Sequence, residues 1–360
     1  MKILIVNPGS TSTKMGLYEN GVLSFDKTLR HTVDELAPFA EVGEQYDFRM
    51  NVILKELDAQ GVETDDLAAV VGMGGLLAPL AGGTYVVNDI MKAHLATGKF
   101  GEHASNLGGL IARAIADKQG IPSYIVDPVV VDEMDEISRI SGHPAIERRS
   151  IFHALNQKAI ARKFCAENGK KYIESRLIVV HMGGGISCSL HINGRAVDTN
   201  NALDGDGPFT PERSGGLPVG DLAALCFGGN FTHDDVKKMI TGKGGVSAYM
   251  GTNSMLDLEK AASTGDEKAA LIMNAMSLQI AKDIAQMAAS ACGDVEAILL
   301  TGGIAHGKPI TDEIARRIGF IAPVYVYPGE DELTALAEGA VRVLKGEEEA
   351  RVYEGQNYAY

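Results

Sequence analysis

The chain has 360 residues, 45% of them hydrophobic and 22% charged, which is the composition of an ordinary globular protein with enough length for two compact domains. Its formal net charge of −14 argues against nucleic acid and acidic membrane surfaces as partners, because both are bound through clustered Lys and Arg. An anionic substrate meets the same repulsive field, so any phosphate site has to be positive locally.

In chain order, the apolar run at residues 3–6 is too short for the core of a signal peptide, and residues 2–6 read as a buried strand. The turn Asn7-Pro8-Gly9-Ser10-Thr11-Ser12-Thr13-Lys14 follows. A second strand runs to Tyr18, Asn20-Gly21 marks a hairpin turn, and residues 22–29 return as a third strand. A helical pattern covers residues 33–59. Residues 67–88 carry no charge over 22 positions but hold five glycines and Pro79, so a buried strand and a turn-rich loop fit better than a membrane span.

Further helical patterns cover residues 103–118, 151–167 and 267–291, alternating with strands at 123–126, 296–300 and 324–327. Residues 177–180 form another strand. His181-Met182-Gly183-Gly184-Gly185 is a glycine turn, residues 186–191 a strand, and Asn193-Gly194 a second hairpin. Strand, small-residue turn, strand and Asn-Gly hairpin thus occur twice, with Asn193 lying 173 positions after Asn20. That spacing points to two duplicated domains of α/β architecture, the first ending near residue 150 and the second near 330. The last helix, residues 331–345, is expected to pack back on the first domain, and the tail from Gly346 to lie on the surface. Cys165, Cys188, Cys226 and Cys292 form no Cys-x-x-Cys pair, which argues against a zinc site or a disulfide framework and suits a reducing cytoplasm.

Three glycine turns bear on chemistry. Residues 7–14 offer backbone N–H groups, hydroxyls and the Lys14 ammonium, the donors that phosphate oxygens need, and Gly9 admits close backbone approach. It is not a P-loop, since no Gly-Lys-Ser/Thr opens a helix there. His181 to Gly185 is the second turn, and Leu300-Thr301-Gly302-Gly303-Ile304-Ala305 the third. Singly, each reads as readily as a plain tight turn; together, after strands, they suggest clamps on one nucleotide.

These strings, with Gly101-Glu102-His103-Ala104-Ser105-Asn106, Val126-Asp127-Pro128-Val129-Val130-Val131, Ile151-Phe152-His153-Ala154-Leu155-Asn156-Gln157-Lys158 and residues 200–215, resemble the acetate and butyrate kinases over essentially the whole length. Butyrate kinases and their branched-chain fatty-acid kinase relatives are the nearest in pattern. The resemblance implies two duplicated ribonuclease-H-like domains of the actin, Hsp70 and sugar-kinase superfamily, with MgATP in the interdomain cleft. It implies reversible phosphorylation of a short-chain fatty acid such as butyrate to its acyl phosphate, in a cytoplasmic homo-oligomer.

Carried over residue by residue, the resemblance makes Asn7, Ser10, Ser12 and Lys14 the first phosphate turn and His181, Gly183, Gly184 and Gly185 the second. Gly302, Gly303, Ile304 and Ala305 become the adenosine contact. Arg213 takes the place of a transition-state arginine, His153 and His103 of histidines near the transferred phosphoryl group, and Asp127 of an active-site aspartate. Asp331 and Glu332, with Asn7, correspond to the residues linked to Mg²⁺. Arg213, His153 and Mg²⁺ are expected to supply positive charge. One position departs from the pattern: the string Gly72-Met73-Gly74-Gly75 has methionine where the resemblance expects an arginine for the substrate carboxylate. Alternatives left open are a branched-chain fatty-acid, propionate or acetate kinase, or an ATP-driven or non-catalytic binding homologue.

Overall fold

The computed structural model describes residues 1–355, which divide into two compact units, Met1–Val131 with the segment from Asp331 onward, and Asp132–Glu330. In the first unit the strands Lys2–Pro8, Ser12–Glu19 and Val22–Arg30 form an antiparallel meander. Leu67–Gly72 pairs in parallel with Lys2–Pro8, and Ser123–Val126 in parallel with Leu67–Gly72. Thr84–Val86 and Arg351–Val352 extend that edge. The helices Tyr46–Ala59, Asn106–Gln119 and Glu332–Leu344 belong to the same unit.

The second unit repeats this topology. Arg176–Met182, Ile186–Ile192 and Arg195–Thr199 are the antiparallel meander, and Ala297–Gly302 and Val324–Pro328 add in parallel beside the first of them. The turns match as well: Asn20 and Gly21 have φ of 54° and 93°, Asn193 and Gly194 of 51° and 83°. Two successive left-handed residues make the tight hairpin turn whose twist suits the flanking strands. Arg176–Met182 is apolar at nearly every position because both of its faces are covered. Ile178 and Val180 pack with Met276, Ile280 and Ile284 of the helix Glu267–Ser290, while Leu177 and Val179 pack with Ala161 and Phe164 of the helix Ala154–Glu167.

Three expectations are corrected. The boundary near residue 150 lies instead at Val131/Asp132. Residues 132–150 are bound into the second unit by the buried Lys158–Glu133 ion pair at 2.8 Å, by Asp135 N–H donating to Val197 O, and by Arg148 pairing with Asp198. The helical pattern at 33–59 is broken: a short helix Val33–Leu36, capped by Thr32, stops before Pro38, and the chain restarts through the 3₁₀ turn Val42–Gln45 into Tyr46–Ala59. Nor is the tail wholly superficial. Tyr353 is buried, its hydroxyl accepting from Ala78 N–H and pairing with His94 Nδ1. The rest of the tyrosine-rich end lies outside the described residues. Among the described residues all four cysteines are free, and no helix is long and apolar enough to cross a membrane.

Candidate active site

In the first unit, Asn7 pairs with Lys14 and Pro8 with Thr13, so the turn shrinks to Gly9, Ser10 and Thr11, closed by Gly9 N–H on Ser12 O at 2.7 Å. Cross-strand partners share a face. Asn7 Nδ2 therefore reaches Glu332 Oε2 at 2.7 Å, and Lys14 Nζ reaches the same oxygen at 3.4 Å. Glu332 opens a helix whose N-cap, Asp331, accepts the Thr334 N–H. Four sequence-predicted residues, 325 positions apart at their extremes, are thereby joined.

Behind the turn lies a residue that the sequence reading missed. Arg49 is fully buried, and its guanidinium donates to Ser10 O, Ser12 O, the Thr13 hydroxyl and Gln45 Oε1. In a trans peptide the C=O and the next N–H point oppositely, so drawing Ser10 O toward Arg49 turns the Thr11 N–H away from it. A cation thus backs a turn whose Ser10 and Thr11 are exposed. The signal was available: Arg49 occupies the apolar stripe of its helix with Ile53 and Leu57.

The other first-unit candidates have local partners. Asp127 is buried at φ 38°, its Oδ1 accepting the Gly83 N–H at 2.7 Å while its own N–H donates to Gly83 O. This gives it a tie to the Gly82-Gly83 loop that the sequence did not foretell. His103 Nδ1 pairs with the Ser105 hydroxyl at 2.8 Å, before the helix Asn106–Gln119. Met73 is half-buried and donates its N–H to Val6 O; a Cβ on either Gly72 or Gly108 would collide with the other segment's backbone, so this strand end and that helix meet through glycine.

The second unit gathers its candidates more tightly. Gly183 N–H donates to Gly185 O, and the Thr210 hydroxyl donates to Gly184 O, tying the turn to the loop that carries Arg213. A Cβ on Gly185 would overlap the Arg213 guanidinium and touch His153, so glycine is what lets all three meet. Arg213 donates to Ala202 O at 2.6 Å, and its Nε is buried with no partner among the described residues. Burial lowers its pKa, with Glu212 opposing. His153 stacks on His181, ring centroids 3.8 Å apart. Burial, then His181 and Arg213, hold the His153 pKa well below its ordinary value, so His153 is neutral at pH 7 and does not supply the charge expected of it. His181 is buried, with Nδ1 2.8 Å from Asn156 Oδ1 and Nε2 3.3 Å from Glu330.

At the third turn Gly302 has φ 89°, and a Cβ there would strike the Met182 backbone. Gly302 and Gly329 exchange N–H···O bonds. Nothing crowds Gly303, but the Ile304 and Ala305 side chains are buried in the core, so only their backbone remains for a ligand. Beside Gly303 opens a groove of about 950 Å³, lined by Met255, Leu256, Lys260, Met273 and Ile304 among others.

Comparison with known proteins places the chain in a family. The chain is 54% identical over 352 residues to butyrate kinase 2 of Clostridium acetobutylicum, covering 98% of this chain and 99% of that protein. A family model described as the acetokinase family matches residues 143–320. The chain belongs to the acetokinase family. A probable butyrate kinase of Listeria innocua is 50% identical, again over 98% of this chain. Acetate kinase of Porphyromonas gingivalis, at 20% identity, shares the fold with a TM-score of 0.78 and covers 95% of this chain and 99% of its own. Membership of the acetokinase family accounts for the repeated topology. The groove beside Gly303 was not foreseen: part of its wall is the helix Met255–Ser263, which the sequence reading did not single out, and part the helix Glu267–Ser290, which it read only as a helix.

Proposed function

We propose that this chain is an ATP-dependent kinase that phosphorylates the carboxylate of a short-chain fatty acid, butyrate foremost, giving an acyl phosphate and ADP. The observation that carries the reading is the 54% identity to butyrate kinase 2 over 98% of the chain. A carboxylate acceptor is ionised at neutral pH, so the reaction needs no strong base. What it needs is alignment of two anions and stabilisation of charge on the moving phosphoryl group. Arg213 suits that role, since its buried, unpartnered Nε lacks an acceptor that an anion would provide. His153, beside it, serves as a neutral donor, and His181 and the Gly183–Gly185 backbone complete that side.

Asn7, Ser10, Ser12 and Lys14, backed by Arg49, suit the nucleotide phosphates. The groove beside Gly303 suits adenosine, with Ile304 and Ala305 acting through backbone. His103 and Asp127 act as shaping residues of the first unit, through Ser105 and Gly83. Mg²⁺ fits the residues present: the Glu332 carboxylate, next to Asp331, lies against Asn7 and Lys14 of the first turn. Mg²⁺ ordinarily takes one or two carboxylates and fills its shell with water and phosphate oxygens. Glu332 and Asp331 would hold it, with Asn7 Oδ1, and when bound it neutralises phosphate charge.

An acyl-hydroxamate assay with MgATP across straight and branched acids from two to six carbons tests the reading. Hydroxamate should form, with the best kcat/KM near four carbons. No product from any acid, in protein that MgATP protects against thermal unfolding, would leave a nucleotide-binding homologue and remove the kinase.

A further inference from the structure

The buried face of the helix Ala154–Glu167 and its neighbours carry a chain of polar side chains that ends at His153. Gln157, Ser187 and His191 are fully buried, and Tyr172 nearly so. Gln157 Nε2 lies 3.0 Å from Ser187 O and 2.8 Å from Ser187 Oγ. A backbone carbonyl only accepts, so the amide nitrogen of Gln157, not its oxygen, must face it. Gln157 Oε1 then faces His191 Nε2 at 2.9 Å and takes its N–H. Burial keeps His191 neutral, with Lys158 and Arg162 adding to the effect. Its Nδ1 is therefore bare and accepts from the Tyr172 hydroxyl at 2.7 Å.

The other end is equally constrained. Ser187 Oγ receives N–H from Gln157 and, at 3.3 Å, from the His153 backbone, so its lone pairs are used. Its own hydrogen remains, and the acceptor within reach among the described residues is His153 Nδ1 at 2.8 Å. A donor at that nitrogen would leave two hydrogens facing one another. The single hydrogen of a neutral His153 ring must then sit on Nε2, which has no partner among the described residues.

We propose that Ser187, itself held by Gln157, is a positioning residue that locks His153 in the Nε2–H tautomer, so that His153 meets an anionic ligand as a neutral hydrogen-bond donor. The catalytic consequence rests on the kinase reading above; the tautomer does not. A fixed donor strengthens its bond as charge develops and needs no reorganisation at the moment of transfer. The other tautomer would present a lone pair to the same oxygens and repel them.

Nitrogen-15 spectra of histidine-labelled, full-length protein at pH 7 test it, with His153→Gln assigning the resonance. His153 should show a bare Nδ1 and a protonated Nε2. Ser187→Ala should mix in the Nδ1–H form and lower kcat about 10- to 100-fold, less than deletion of a whole donor, with KM for ATP within threefold. Ser187→Cys, of similar size but a weak donor, should behave likewise and replaces the alanine variant should that fail to fold. A protonated Nδ1 in the wild type, or an unmixed tautomer in both variants, overturns the lock. Mixed tautomers with unchanged kcat in the variants overturn its role. Wild-type spectra as expected from a protein with no kinase activity would instead remove the kinase reading and leave the tautomer standing.

Discussion

The imidazoles of His153 and His181 stack with centroids 3.8 Å apart and planes within 12°. Each ring is oriented from behind by a different polar side chain, Ser187 for His153 and Asn156 for His181. Burial is the main reason that the His153 pKa is lowered, and the neighbouring His181 and Arg213 push it the same way. The Arg213 guanidinium lies beside the His153 ring, across Gly185.

Arg213→Ala should lower kcat by roughly 10²- to 10³-fold with little change in KM for ATP, since a group that binds mainly in the transition state acts on kcat. Arg213→Lys should recover only part, because a point charge cannot reproduce the guanidinium fork that bonds Ala202 O and still presents free N–H groups. Steady-state kinetics check both, and a kcat for the alanine variant within threefold of wild type would make Arg213 structural.

Met73 stands at a half-buried position whose backbone is pinned to Val6 O, so a longer side chain does not enter the core. Met73→Arg should lower KM for butyrate at least tenfold and leave KM for ATP unchanged, as one charged hydrogen-bonded pair contributes about 1.5–3 kcal/mol. An unchanged or higher KM for butyrate would mean that another cation already holds the carboxylate.

Lys158 and Glu133 form an ion pair in which both side chains are almost wholly buried. Lys158→Met should destabilise the protein by about 3–5 kcal/mol, because it leaves a buried carboxylate without its ammonium. Lys158→Met with Glu133→Gln should recover much of that loss. Urea unfolding measures both; equal losses in the single and double variants would show that the missing contacts of lysine, not the loss of its charge beside Glu133, set the cost.

Asp283 is buried, with Oδ2 lacking a partner among the described residues, and burial together with Asp206 and Asp198 pushes its pKa up to about 7 against the pull of Arg148. Between about pH 4 and pH 7 the unfolded chain has released this proton while the folded protein keeps it. Stability therefore falls as pH rises through that window and stays lower above it. Asp283→Asn should stabilise by on the order of a few kcal/mol at pH 8.5 and by much less at pH 5. Urea midpoints at the two values check it, and an equal effect at both would show that Asp283 ionises normally.

The sequence by itself determined the duplication and the places of the glycine turns. Asn-Gly hairpins, glycines after strands and apolar alternation are local rules that act within a few residues, so Asn20-Gly21 and Asn193-Gly194 were readable without a fold. Which side chains meet was decided only by tertiary structure. Glu332 reaches Asn7 across 325 positions, and Gln157 reaches Ser187 across 30. The first-unit boundary moved to Val131 because a buried ion pair formed 25 positions along the chain, which no composition shift announces. Arg49 and Gln157 did leave a trace, as polar residues on apolar helix faces, but burial alone does not say whether such a group braces a loop or orients a histidine. That distinction depends on which acceptors the packed backbone offers, and a buried donor must find one of them because leaving it unpaired costs about 1–3 kcal/mol.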